Sequence, residues 1–234
     1  YEMKFRLVGS EMCIRDSNTT VDFGVKAYLD EEDPIQQHRF NSLIYSGIFN
    51  SRTGVNQTNV FSVADEITKS LDPAQGAINK LYAEDTNLII FQQYKVSQAL
   101  IDKDAIYSAE GGGLPVSSFK TVIGQVVPIL GNYGIGNNPE SFAVYGYNKY
   151  FVDPNQNAVM KLGPEGLIEI SAAGMNGFFR NQILNINSSA FGIGKLVGGW
   201  DIYNKEYALS LQPIATSAQL AEPTLSWDEK AQGW

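Results

Sequence analysis

Between residues 141 and 171 the chain alternates short apolar runs with tight turns, which is the pattern of a small antiparallel sheet. Apolar runs of strand length lie at 142–145, 150–152, 158–162 and 167–170. Asp153-Pro154-Asn155 and Gly163-Pro164-Glu165-Gly166 favour chain reversal, because proline fixes φ and glycine accepts positive φ. We therefore predict a meander of three strands joined by two tight turns. Such a sheet must bury a face, so further sheets should flank it, as in a sandwich or a propeller.

A second meander is predicted N-terminal to the first. Its strands are expected at 77–82, 88–91, 95–101 and 105–107. Residues 95–108 and 157–171 share the order strand, polar turn, strand. They begin roughly sixty residues apart, which indicates an internal repeat with long loops between some of its strands.

The other segments predict few further elements. Residues 109–118, with their glycine run, are expected to form a flexible loop, and Gly124 and Pro128 mark 122–130 as an edge strand or a bulge. Apolar side chains near helical spacing predict one short helix near 175–184. A hairpin is expected at 195–211 and a last strand at 224–227. The sequence therefore predicts a mainly β protein with one short helix.

Composition excludes some classes of function. The chain has 234 residues, of which 44% are hydrophobic, so it can bury a substantial core. Its net charge of -8 gives no basic field that would attract a nucleic-acid backbone, which argues against sequence-reading nucleic-acid binding. Because no apolar run approaches the roughly 18 residues of a membrane-spanning helix, no membrane-spanning segment is predicted.

Residues 1–17 are interpreted separately from the rest of the chain. Residues 7–17 read LVGSEMCIRDS, which resembles the in-frame translation of a transposase-based sequencing adapter. We therefore interpret residues 1–17 as an adapter artefact and residues 18–234 as a fragment of a longer protein. Cys13, the only cysteine, lies in the artefact, so neither a disulfide nor a cysteine-bound metal is predicted.

Catalytic groups are sparse. His38 is the only histidine, and no Gly-x-Ser-x-Gly turn accompanies it. Gly111-Gly112-Gly113 lacks the Lys-Ser or Lys-Thr of a phosphate-binding loop, and Asp102-Lys103-Asp104 is expected in a hairpin turn. The sequence predicts no catalytic residue and no cofactor.

Two metal-binding patterns are also weak. Asp153, Asn155 and Asn157 alternate as in a calcium loop, but Ala158 and Pro164 stand where that loop needs glycine and a bidentate glutamate. A plain β-turn is the preferred interpretation, and Glu31-Glu32-Asp33 is interpreted as a solvated loop. No metal site is predicted. The Asn-x-Ser/Thr triplets at Asn18, Asn56 and Asn187 matter only in a secreted eukaryotic protein.

A succession of short motifs resembles a family of phage proteins. The motifs are Asp72-Pro73, residues 76–81 (GAINKL), 87–92 (NLIIFQ), 131–134 (GNYG), 138–141 (NPES), 150–153 (YFVD), Ser171 with Gly174-Met175, 201–204 (DIYN) and 224–229 (TLSWDE). In this order they are similar to the tail nozzle or muzzle group of crAss-like and related phages, called packaged-DNA stabilization proteins. The likeness covers most of residues 39–234.

The resemblance implies a partial β-propeller of antiparallel meanders in a non-enzymatic component of the virion tail. It further implies a homo-oligomeric ring below the portal, which contacts portal or adaptor and other tail proteins while phage DNA passes without sequence-specific binding.

Two alternatives remain open. One is a secreted β-propeller that binds or cleaves carbohydrate, which as an enzyme would need two carboxylates across a cleft. The candidate carboxylates are Glu140, Asp153, Glu165, Glu169 and Asp201. The other is a structural domain of a host protein.

The adapter interpretation is testable at the source locus. We predict that adapter-free long-read sequencing will recover an open reading frame that lacks codons 1–17 and extends beside portal and tail genes. Codons 1–17 intact in such reads would contradict the artefact, and neighbouring genes for a signal-bearing carbohydrate-processing protein would favour the secreted alternative.

Overall fold

The computed structural model describes residues 38–47, 49–50, 54–62, 64, 66–84, 87–101, 103–107, 113–117, 122–187, 194–213 and 223–234. The chain divides into two units, Tyr1–His38 and Arg39–Trp234. Of the first unit only His38 is described, so the adapter segment, the 31–33 acidic loop and Asn18 lie outside the described residues. All the elements named below belong to the second unit.

The described residues form seventeen strands and one α-helix. The strands are β1 (Ser42–Ile44), β2 (Phe49–Asn50), β3 (Val55–Asn56), β4 (Thr68–Ser70), β5 (Ile78–Glu84), β6 (Asn87–Gln92), β7 (Val96–Ile101), β8 (Lys103–Tyr107), β9 (Gly113–Ser117), β10 (Ile123–Pro128), β11 (Ala143–Tyr145), β12 (Asn148–Asp153), β13 (Ala158–Gly163), β14 (Gly166–Glu169), β15 (Lys195–Asp201), β16 (Glu206–Gln212) and β17 (Thr224–Asp228), and the helix is α1 (Asn176–Asn187). Strand makes up 48% of the structure, which confirms the mainly β prediction and its single helix. Among the described residues no helix has both the length and the apolar character needed to cross a membrane.

Three larger antiparallel sheets follow one another along the chain. Sheet I has the order β10-β7-β6-β5, sheet II the order β11-β12-β13-β14, and sheet III the order β15-β16-β17. Their second strands begin at Asn87, Asn148 and Glu206, so the repeat recurs at intervals of roughly sixty residues. The pairs β1-β4, β2-β3 and β8-β9 are separate two-stranded units, and the described sheets do not close into a barrel or a propeller.

The structure corrects three details of the sequence predictions. The 141–171 meander has four strands instead of three, because Gly146-Tyr147 already forms a two-residue turn between β11 and β12. The repeat is correct for β7 and β13. The predicted hairpin of β7 and β8 is wrong, because β8 pairs with β9, and Lys103 and Asp104, predicted in a hairpin turn, belong to β8. For the same reason part of the predicted flexible loop is a strand, β9.

The predicted edge strand is confirmed in β10. It is the outer strand of sheet I, and its register with β7 shifts between Ile123 and Val126. Pro128, which has no N–H to donate, closes this strand opposite Ser97. Sheet I therefore takes its fourth strand from beyond the β8-β9 hairpin, whereas sheet II takes its fourth strand directly after the third.

The sheets pack face to face, and strand alternation decides which side chain enters which layer. In β12, Phe151 points to sheet I, where its ring meets Phe91 edge-on at 5.2 Å between centroids. Its neighbours Tyr150 and Val152 point the other way, into the cluster shared with sheet III and α1. In β6, Ile90 points away from sheet II into a further cluster with Leu71, Ala99 and Ile123. Neighbouring side chains of a strand thus enter the apolar layers on its two opposite sides, as the two-residue period of a strand requires.

An aromatic stack joins sheets II and III. Tyr145 stacks on Trp200 at 4.3 Å and 9°, Trp200 stacks on Tyr150 at 5.4 Å, and Tyr150 stacks on Tyr207 at 5.0 Å. The buried Tyr207 hydroxyl donates to the Ser141 carbonyl oxygen at 2.7 Å. The stack therefore combines a large apolar area with a directed hydrogen bond from Tyr207.

Each face of sheet II also carries a lysine–glutamate pair. Lys149 in β12 donates to both carboxylate oxygens of Glu84 in β5 at 2.6 Å. Lys161 in β13 donates to Glu229 at 2.8 Å, and the Tyr150 hydroxyl donates to the other Glu229 oxygen. Partial burial alone would raise the pKa of Glu229, but the hydrogen bonds from Lys161 and Tyr150 and the charge of Lys161 outweigh it and lower that pKa. Removing one partner of such a pair would leave a charge poorly solvated.

The contact between sheets II and III predicts opposite effects at two adjacent glycines of β15. A Cβ on Gly198 would lie 2.5 Å from the Tyr207 hydroxyl and still closer to the Ser141 carbonyl, whereas a Cβ on Gly199 would meet nothing within 4 Å. We predict that Gly198→Ala lowers the free energy of unfolding by about 1–3 kcal/mol, because the Ser141 segment that leads into sheet II must move away from β15 to admit the methyl group. The matched control Gly199→Ala should be neutral or slightly stabilising. Urea unfolding measures both, and equal effects would contradict the packing of the two sheets.

Candidate functional site

The second strands of sheets I and II each end in a buried polar side chain that forms hydrogen bonds with a loop. Gln92 ends β6 and donates from its amide nitrogen to the carbonyls of Asp72 at 3.2 Å and Gly76 at 3.0 Å. Asp153 ends β12 and accepts from the Gly134 N–H at 3.0 Å. In both cases the partner lies in the loop that leads into the first strand of the same sheet. Each polar side chain thus fixes that loop to one end of its sheet.

Asp153 also organises the turn that follows it. Its Oδ1 accepts from the N–H groups of Asn155 at 2.8 Å and Gln156 at 3.3 Å, which is the usual way an aspartate shapes a turn. The predicted β-turn after Asp153 is confirmed, and both carboxylate oxygens have N–H donors. Burial raises the pKa of Asp153 above its ordinary value, because the hydrogen bonds from Gly134, Asn155 and Gln156 offset only part of the lost hydration.

Close backbone contact holds the loop at 129–142 against both sheets. The Gly136 N–H donates to the Gln93 carbonyl at 3.2 Å. A Cβ on Gly134 would collide with the Gln93 backbone, and one on Gly136, whose φ is +55°, would collide with the Pro154 ring. Only glycine fits these two positions, so the loop lies directly on the turns of sheets I and II.

A cleft of about 370 Å³ opens where these segments meet, and five of its seven lining residues carry a side-chain amide. The amides belong to Gln93, Asn137, Asn138, Asn155 and Asn157. Pro154 and the half-exposed Leu184 of α1 complete the lining. We call this the amide cleft. None of its described lining residues carries a charge.

The amides of the cleft differ in their bonding. Asn155 donates to the Gln93 carbonyl at 3.0 Å, which ties the turn of sheet II to that of sheet I. Asn137 lies near the Asn79 amide, at 3.5 Å. Asn157 adopts a φ of +55°, and its buried Oδ1 has no hydrogen-bond partner within the described part of the chain.

The five carboxylates proposed from sequence differ in their hydrogen-bond or ion-pair partners and in their burial. Glu140 pairs with Lys195 at 3.7 Å, Asp153 is buried as described, Glu165 is exposed in the β13-β14 turn, Glu169 accepts from the Ser171 hydroxyl at 2.9 Å, and Asp201 accepts from the Tyr203 N–H at 2.8 Å in the β15-β16 turn. Where the structure describes the chain, no group of three or more His, Cys, Asp or Glu side chains could hold a metal ion. The structure gives each carboxylate a local partner or solvent.

The remaining candidates from the sequence are only partly covered by the described residues. His38 is exposed, and Asn56 accepts from the N–H and the hydroxyl of Thr58. Asp102 and the glycines at 111 and 112 fall outside the described residues, while Lys103 begins β8 and Asn187 ends α1.

Sequence reasoning missed the amide cleft, and the only local signal is the abundance of glycine and asparagine at 131–139. The lining residues come from four separate segments, and nothing local brings these segments together. No protein-family model matches the chain, and no curated protein matches it.

Asp153 predicts a specific pH dependence of stability. Its pKa is raised in the folded state, so its contribution is fully present below the ordinary carboxylate pKa and is lost as pH rises through the raised value. We predict that wild type loses stability over this range relative to Asp153→Asn, which cannot ionise. Urea unfolding from about pH 3 to about pH 7 measures the difference between the two proteins. A constant difference across this range would contradict the burial of Asp153.

Proposed function

We propose that the chain is a non-enzymatic structural component of a phage virion tail, a nozzle or muzzle protein in a ring below the portal. In this proposal sheets I, II and III are consecutive blades of a partial β-propeller. The observation that carries it is the recurrence of one antiparallel sheet at intervals of roughly sixty residues, each packed face to face on the next.

The bonding between the sheets supports a load-resisting role. Sheet II is joined to its neighbours by aromatic contacts on both faces and by the pairs Lys149–Glu84 and Lys161–Glu229. Most large side chains of the described interior thus hold one sheet to the next. A ring around packaged DNA requires this kind of stiffness.

Exposed apolar side chains support contacts with neighbouring subunits or other tail proteins. Tyr147 lies in the β11-β12 turn and is 69% exposed. Ile202 and Tyr203 lie in the β15-β16 turn and are 76% and 96% exposed. The stacking of Tyr145 on Trp200 brings the strands that lead into these two turns together. Aromatic residues are enriched at protein interfaces, so this edge is the proposed contact with partners.

The charge of the chain supports passage of DNA without adhesion. A net charge of -8 repels a phosphate backbone if the carboxylates face the channel. In the ring, lysine in place of channel-facing acids should slow genome ejection, and unchanged ejection would contradict this part of the proposal.

Location in the virion tests the proposal directly. We predict that antibodies against this chain, visualised with gold on purified virions from the source sample, label the tail vertex and leave the head unlabelled. Serum depleted with the purified protein provides the control for specificity, and an antibody against the major capsid protein verifies that the particles are intact. Unlabelled virions together with antigen in the particle-free soluble fraction would contradict the proposal and favour the secreted alternative.

A further inference from the structure

The amide cleft has the chemistry of a site for neutral, hydroxyl-rich ligands. A side-chain amide carries two N–H donors and an acceptor oxygen, and a hydroxyl both donates and accepts. The lining supplies five such amides and no charged group, so an ionic ligand would lose hydration without gaining a counter-charge. A ligand with several neutral hydroxyl groups matches this surface.

Two of the lining amides are exposed and keep hydrogen-bonding capacity for a ligand. Asn137 accepts from the Asn79 amide, and Asn155 donates to the Gln93 carbonyl. Because a side-chain amide has two donors and two acceptor sites, each of these residues can also bond to a ligand hydroxyl.

The shape of the cleft suits a small ring-shaped molecule. Its volume of about 370 Å³ lies at the lower end of the range for small-molecule sites, about 300–1,000 Å³. Pro154 and Leu184 offer apolar surface for the C–H groups of a sugar ring. The walls are preformed, since Asp153 fixes one turn and the Gly134–Gly136 segment lies directly on the other.

We propose that the amide cleft binds a short neutral saccharide. A peptide is the less suitable ligand, because the lining consists of side chains on turns, whereas main-chain recognition commonly uses a free strand edge. The saccharide site is independent of the virion role, since it rests on the lining of the cleft and not on the location of the protein.

Binding to a glycan array and calorimetry with the strongest ligand test the site. The full chain should bind neutral oligosaccharides and ignore sialylated or sulfated ones. Because the ligand is neutral, its affinity should change little between about 50 mM and about 500 mM salt. The proposal is wrong if the folded chain binds no neutral glycan, or if it binds only charged glycans with an affinity that falls with salt.

Two pairs of variants assign the binding to the cleft. Leu184→Lys places a long charged chain in the cleft, while Asn185→Lys makes a similar change at the next exposed position of α1. Asn137→Ala removes a lining amide, while Asn132→Ala removes an exposed amide that does not line the cleft. We expect affinity to fall about tenfold or more in the first member of each pair and to stay within about twofold of wild type in the second. Circular dichroism verifies folding, and equal affinities within both pairs would overturn the assignment.

Discussion

Burial of sheet II on both faces is the constraint on which the rest of the structure depends. In β12 the side chains of Tyr150, Phe151 and Val152 are fully buried, although neighbouring residues of a strand point to opposite faces. A strand that is apolar on both faces cannot lie at a surface. Sheet II therefore needs an apolar layer on each side, and sheet I and the combination of sheet III with α1 supply these layers.

Polar side chains then determine how the layers align. Buried ion pairs add little net stability, because desolvation offsets much of their attraction, but they are unfavourable to break. Lys149–Glu84 and Lys161–Glu229 thus favour one alignment of sheet II on its neighbours. Gln92 and Asp153 act at the ends of the sheets, where they hold the connecting loops in place. The amide cleft is a consequence of these hydrogen bonds, since its walls are the turns and the loop that they hold in place.

The two proposals use different parts of the same architecture. The stacked sheets and the exposed turn residues Tyr147 and Tyr203 support a subunit of a rigid assembly. The amide cleft lies among the turns between second and third strands, whereas Tyr147 and Tyr203 lie in turns between first and second strands. Because consecutive turns of a meander lie at opposite ends of its strands, assembly and saccharide binding would occupy opposite ends of the sheets.

The sequence by itself determined most strands of sheets I, II and III, most of their turns and the helix, because these depend on neighbouring residues. Two-residue alternation and proline or glycine turns located sheet II, the β15-β16 hairpin and the edge strand β10. Only the tertiary structure decided that β8 pairs with β9, since the local pattern allows either partner. It also decided that Asp153 accepts the backbone N–H of Gly134, and that five amides from three segments share one cleft. These outcomes depend on contacts between residues far apart in the chain, which local periodicity does not encode.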